Sequence, residues 1–394
     1  MVNFAKRTNE LKPSPIRMLL ALTTKPEVTS FAGGLPAPEL FPIKEFKAAC
    51  DAVMDEAGAT ALQYGQTDGW KKLREQIADR MLAKNNIKAD PSEILLTAGS
   101  QQGLDFCGRI FVDEGDVIIM ESPSYLGAIN AFRPNQPKFI ENPTDDNGMI
   151  MEELEKVLAT EKNVKLIYVI PDFQNPSGRT WPLERRQKFM EIITKYEIPV
   201  IEDNPYGELR YKGDYLPALK SMDTKGLVMY LGTMSKILSP GVRIGWICAC
   251  KEYIEKFNLL AQAAVLQTST FAAMAVSKYI EMFDLDAHVE QCRETYKHRA
   301  ALMVDSMKKY FPAEVKFTDP DGGLFTWAEM PEYINAEELF NETIKQNVAF
   351  VPGDSFFPNG GNSHCFRLNY SGASDEQIVN GIKIIGDCIK AKLK

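Results

Sequence analysis

The 394-residue sequence predicts an α/β fold, a mostly parallel sheet covered by helices on both sides with a smaller α+β lobe attached. Three observations lead there. From about residue 90, short apolar runs rich in Val, Ile and Tyr recur, and they are continuous rather than alternating, as in strands buried on both faces. Between them lie longer segments whose apolar residues recur at helical spacing. After about residue 250 this alternation stops, and a long helical region is followed by further strand-like stretches.

Taken in order, residues 1–40 form an arm punctuated by Pro and Gly, ending in SFAGGLPAPELFP. The expected strands are Glu93–Thr97, Asp116–Glu121, Lys165–Pro171, Ile198–Asn204, Leu227–Thr233 and Arg243–Ala249. MEELEKVLATE and LERRQKFMEIITKYE are expected helices between them, and the long helical region reaches HRAALMVDSMKKYF. VKFTDPDGGLFTWAEM and NSHCFRLNYS then read as strands of the smaller lobe. This gives three parts: an arm over 1–40 serving the small domain and the substrate pocket, a large domain over 41–285, and a small domain over 286–394. Internal repeats and low-complexity tracts are absent from the sequence.

Composition narrows the function. Hydrophobic residues at 45% and charged residues at 25% are ordinary for a globular protein. A net charge of -8 argues against nucleic acid or an anionic membrane as partner, since each needs a clustered basic face. The apolar run Met18–Leu22 is too short for a secretory core or a membrane span, so a cytoplasmic protein is expected. Seven cysteines without a C-x-x-C pair fit a reduced compartment. Cys248 and Cys250 are expected to pack from one face of a strand, and the three histidines lack ligand spacing, so no metal is predicted.

In open α/β sheets ligands sit beyond the carboxyl ends of the strands. After Thr97 comes AGSQQGLDF, whose turn into a helix leaves the N–H groups of Gly99, Ser100 and Gln101 free for a phosphate, although the same turn serves as an ordinary helix start. The later strands are followed by DFQNPSG, PYGEL and MSKILSPGVR, which supply Asn175, Asp203 with Tyr206, and Lys236. Singly, Asp203 reads as a helix cap and Asn175 as a turn residue. Jointly they match the needs of a phosphorylated pyridine aldehyde: a carboxylate for the ring nitrogen, donors for the ring oxygen, an aromatic face, and an amine to form an imine. An ordinary lysine has a pKa of about 10.4, so the amine must be desolvated or set beside positive charge. Lys236 sits seven residues before Arg243, in a turn, and reads as the Schiff-base lysine of a pyridoxal-phosphate enzyme.

Eight motifs in order carry a resemblance: SFAGGLPAPELFP, LQYGQTDGWKKLRE, TAGSQQGLD, ESPSYLGA, IPDFQNPSG, IEDNPYGEL, GTMSKILSPGVRIGW and NSHCFRLNYS. The chain resembles the fold-type I pyridoxal-phosphate aminotransferases of class I and II, nearest the branch of 2-aminoadipate and kynurenine aminotransferases. The resemblance implies a three-layer sandwich around a mostly parallel seven-stranded sheet, and a homodimer with active sites at the interface. It implies that Lys236 forms the imine and shuttles the proton, that Asp203 pairs with the ring nitrogen, that Asn175 and Tyr206 bond the ring oxygen, and that Tyr125 stacks on the ring. Ser100, Gln101, Thr233, Ser235 and Arg243 are implied to bind the phosphate, with Tyr64 reaching the phosphate of the neighbouring subunit. Arg367 and Asn175 are implied at the substrate carboxylate, with Gly34 and Arg17 lining the pocket. The expected reaction moves an α-amino group from an aromatic, branched, acidic or 2-aminoadipate-like amino acid to a 2-oxo acid, 2-oxoglutarate foremost, by a ping-pong mechanism. A β-lyase or decarboxylase on the same fold is the alternative. A ligand-sensing regulator is the remote one, since it needs a DNA-binding domain in front whereas the match begins near residue 13.

Overall fold

The computed structural model describes residues 2–11 and 27–394. The main sheet is assembled from β2 (Ile94–Thr97), β3 (Val117–Ser122), β4 (Lys138–Asp145), β5 (Gly148–Met149), β6 (Val164–Val169), β7 (Val200–Asp203), β8 (Val228–Thr233) and β9 (Gly245–Cys248). The arm strand β1 (Thr29–Ser30) lies outside it. Its order is β2-β9-β8-β7-β6-β3-β4-β5. β4, β3, β6, β7 and β8 pair in parallel, and β9 runs against both β8 and β2. Seven strands of four residues or more thus form the sheet, and the two-residue β5 is a hairpin return at the edge of β4.

Continuous apolar runs follow from burial on both faces. On β6 and the residue after it, Leu166, Tyr168 and Ile170 pack into one helix-covered layer, whereas Ile167 and Val169 pack into the other. The same split holds for Ile201 against Val200 and for Met229 against Val228. Among the strands of four residues or more in this sheet, β4 is the one without an expectation from sequence. Its KFIENPTD lies near the sheet edge, where most side chains are half-buried and polar residues are tolerated. Cys250 departs from expectation: β9 ends at Cys248, and Cys250 is the residue that caps the helix Lys251–Ala264.

Because β9 opposes both of its neighbours, β2 points the same way as β8, and the carboxyl ends of β2, β3, β6, β7 and β8 share one edge. Beyond the 26-residue helix Leu285–Tyr310, the strands β10 (Lys316–Phe317), β11 (Phe325–Glu329), β12 (Val348–Ala349), β13 (Val351–Pro352) and β14 (Cys365–Asn369) follow. β10, β11, β14 and β13 form an antiparallel sheet, while β12 pairs with β1. That pairing sets the residues after Ser30 across the C-terminal part of the chain. Among the described residues no helix is long and apolar enough to cross a membrane.

Candidate active site

Five loops leave the shared sheet edge and converge. The turn after β8 carries Lys236, whose Nζ donates to the Gly34 carbonyl at 2.6 Å, so the arm and the turn meet at the amine. Burial, with Arg367 and Arg243 adding like charge, lowers the lysine from its usual 10.5 to about 8. A substantial neutral fraction therefore exists near neutrality, as a nucleophilic amine requires.

Asp203 ends β7 and is 1% exposed. Its Oδ2 accepts from the Tyr168 hydroxyl at 2.8 Å, and its buried Oδ1 has no partner among the described residues. Burial pushes the carboxyl up to about 7, against the opposing hydrogen bond from Tyr168. Asp203 thus stands as a strand-end carboxylate with one oxygen open, and the alternative reading of it as a helix cap falls away.

Arg367, at the middle of β14, is buried with no acid beside it among the described residues. Its guanidinium donates to Asn175 Oδ1 at 2.8 Å and to the Ala32 carbonyl at 2.7 Å, leaving Nε unpartnered. The rings of Phe325 and Phe356 lie 4.3 and 5.0 Å from it. Burial lowers its pKa to about 10. Asn175 Nδ2 donates onward to the Tyr206 hydroxyl at 3.4 Å, and the Tyr206 ring stands edge-on to Phe325. Burial raises the Tyr206 hydroxyl far above its usual value, so it remains a phenol.

The anion cradle forms where β2 runs into the helix Ser100–Phe111. Gly99 caps that helix at φ 79°, and a Cβ there would stand 2.3 Å from Arg243, so only glycine admits the guanidinium. Arg243 itself takes φ 53° and donates to the Ala98 carbonyl at 2.6 Å. Thr233 Oγ1 donates toward Ser235 Oγ at 2.9 Å and accepts from the Ser235 N–H at 3.1 Å, which folds the turn before Lys236. Gln101 donates to the Gly127 carbonyl at 2.8 Å, joining the cradle to the loop of Tyr125. A Cβ on Gly127 would meet the Tyr125 ring at 2.3 Å, and burial followed by the charge of Asp203 raises that phenol to about 12.

The fold thus gathers Lys236, Asp203, Asn175, Tyr206, Arg367 and Gly34, and beside them Tyr125, Ser100, Gln101, Thr233, Ser235 and Arg243. Tyr64 stands apart, 78% exposed beyond the helix Ile43–Ala61. Arg17 lies outside the described residues. Sequence reasoning missed Tyr168, the Ala32 carbonyl and the rings of Phe325 and Phe356. A tyrosine in the aliphatic run LIYVI was the one available signal. Among the described residues no group of three or more side chains is suited to a metal ion.

Residues 39–385 match the model of the family described as aminotransferase class I and II. An aromatic-amino-acid aminotransferase of Thermococcus litoralis is 40% identical over 395 residues, covering 99% of this chain and 95% of that protein. A 2-aminoadipate transaminase of Thermus thermophilus is 39% identical, covering 99% and 97%. Among solved structures, kynurenine aminotransferase of Pyrococcus horikoshii, in complex with PMP and with KYN and KYA, superposes with a TM-score of 0.95 at 38% identity, over 99% of this chain and 98% of that one.

Proposed function

We propose, on the premise that the chain belongs to the class I and II aminotransferases and is a pyridoxal-phosphate-dependent transaminase of fold type I, a ping-pong exchange in which 2-oxoglutarate collects the amine. Its substrates are amino acids and 2-oxo acids. The observation that carries the site assignment is Arg367, a buried guanidinium with no anion beside it among the described residues, on the far side of Asn175 from Tyr206. A buried unpaired cation is costly, so its partner comes from outside, and a substrate α-carboxylate fits its planar fork.

The residues present fit the cofactor. Asp203 Oδ1 is a buried acceptor without a donor among the described residues, and the Gly99 cradle under Arg243 suits a phosphate. When bound, pyridoxal phosphate supplies an electrophilic carbonyl carbon and a ring that withdraws electrons. Ser100, Gln101, Thr233, Ser235 and Arg243 hold its phosphate, Tyr125 its ring face, and Asn175 with Tyr206 its ring oxygen. Asp203 keeps a proton on the ring nitrogen. Lys236, lowered toward neutrality, would carry a proton between the substrate α-carbon and the cofactor carbon that bears the amine, off the α-carbon in the first half-reaction and back onto it in the second. Gly34 accepts from Nζ and steadies it meanwhile.

The division at residues 40 and 285, a cytoplasmic homodimer and a phosphate contact from Tyr64 across the interface belong to the same proposal; the exposure of Tyr64 supports the last. Aromatic and 2-aminoadipate-like donors are favoured by the named relatives, and Arg17 is assigned the distal carboxylate of acidic substrates. A screen of amino donors against 2-oxoglutarate with purified protein tests the reading. Transfer from an aromatic or 2-aminoadipate-like donor is expected, and release of pyruvate and ammonia or of carbon dioxide instead would replace it with a lyase or decarboxylase.

A further inference from the structure

Asp203 is held in an unusual way for a buried carboxylate. Among the described residues one oxygen has a single donor and the other has none, in a residue 1% exposed. The single donor, Tyr168, is itself fully buried on β6 beside the strand that carries Asp203. Its ring is locked edge-on against Phe132, with centroids 5.9 Å apart at 73°. The hydroxyl therefore has no freedom to leave, and a donor fixed to one oxygen fixes the plane of the carboxylate and the placement of the other.

We propose that Tyr168 is a positioning residue for the transamination: its hydroxyl pins Asp203 Oδ2 and weakens the carboxylate as a base, so that Oδ1 holds a proton on the ring nitrogen without removing it. The inference rests on the role proposed above for Asp203. Its chemistry is a contest for one proton. Between a carboxylate and a pyridine nitrogen in a dry site the proton goes to the stronger base, and a hydrogen bond to the carboxylate favours its anionic form. If the proton moves to Asp203, the ring becomes neutral and loses its pull on electrons. Other titratable groups feel Asp203: Cys107 on the helix Ser100–Phe111, Tyr125 ahead of the next helix, and Tyr206 beyond β7. Of these groups and Tyr168, the described residues give only Tyr168 a hydrogen bond to the carboxylate. Tyr168 stays a neutral donor because burial and the adjacent Asp203 raise it well above its usual value.

The test uses holoenzyme reconstituted with pyridoxal phosphate carrying nitrogen-15 in its ring, and reads the ring-nitrogen chemical shift as a function of pH. In the wild type the shift is expected to stay at the protonated value across neutrality. Tyr168→Phe keeps the ring packing and should move it toward the deprotonated value, with kcat down about tenfold and KM within about twofold. Phe132→Leu loosens the same ring without removing the hydroxyl and should leave the shift in place. Genetically placed 3-fluorotyrosine at 168, a more acidic phenol in the same fold, should strengthen the protonated signal and serves if the phenylalanine variant does not fold. Asp203→Asn is measured in parallel. If it moves the shift while the Tyr168 variants do not, the inference is overturned and the role of Asp203 stands. If Asp203→Asn also leaves the nitrogen protonated, the role of Asp203 itself is withdrawn, and the inference with it.

Discussion

Arg186 and Arg367 are both buried arginines, and they belong to regions built on opposite principles. Arg186 is wholly enclosed, yet all three of its nitrogens are engaged: Asp172 takes two hydrogen bonds, at 2.6 and 3.2 Å, and the carbonyls of Trp181, Pro171 and Pro217 take the rest. Arg210 adds a second cation to the same carboxylate at 3.2 Å. Among the described residues Arg367 has an amide, a carbonyl and two aromatic rings, with an idle Nε and no acid. The carboxylates divide in the same manner. Glu121 accepts from the Ile170 N–H and the Trp181 indole, and Glu202 from the N–H groups of Leu219 and Lys220, so both acids are answered within the chain. Asp203 is answered on one oxygen only. Complete networks hold the fold, and incomplete ones are completed by what binds.

The largest expected effect falls on the incomplete side. Lys236→Ala should lower transamination roughly ten-thousandfold while the apoprotein keeps its unfolding midpoint, measured by single-turnover spectroscopy and by denaturant titration. In the wild type, borohydride should fix the cofactor on Lys236, and a pyridoxyl adduct on another lysine would remove this residue from the site. On the complete side, Arg186→Met leaves Asp172 with Arg210 as its one cation and takes the donor from three carbonyls, and should cost about 3 kcal/mol in apoprotein and holoenzyme alike. Arg367→Met should do the reverse, leaving apoprotein stability unchanged or higher. It should also raise KM for amino and oxo acids together by about a hundredfold, because each presents the same carboxylate. Equal destabilisation by the two methionine variants would erase the distinction between the regions.

The same distinction explains what could be read from the sequence. Strand ends and the glycine turn were legible because apolar runs and breakers are local signals, and the polar residues following them name the chemistry. Arg367 was not legible from pattern alone. What marks it as functional is the lack of an acid around it, and that depends on Ala32 and Asn175, which are 335 and 192 positions away. Tyr168 was hidden for the converse reason: within a buried strand its ring reads as core, and its hydroxyl matters only through a neighbour on β7. β4 escaped because its edge position permits a polar sequence, and the reversed direction of β9 has no signature in RIGWICA.

The smallest effect per step is a dependence of apoprotein stability on pH. Asp203 is raised from 3.8 to about 7 in the folded chain. Between these values the unfolded chain has released the proton that the native state keeps, so this contribution falls as pH rises, by at most about 1.4 kcal/mol per unit. Lys236 is lowered from 10.5 to about 8, so between those values the unfolded chain holds the extra proton and stability recovers as pH rises. The two sites together place a minimum near pH 7 to 8. Glu121 and Glu202, each raised to about 7 by burial, add falling limbs of their own. Subtracting the profile of Asp203→Asn from that of the wild type cancels both glutamates and isolates Asp203. That difference should fall from pH 4 to 7 in apoprotein and flatten once pyridoxal phosphate gives the carboxylate a cationic partner, whereas the limbs of the two glutamates should be the same with and without cofactor. A flat Asp203 difference in apoprotein would mean that its open oxygen is already satisfied, and Asp203 would then belong with the glutamates among the groups that hold the fold.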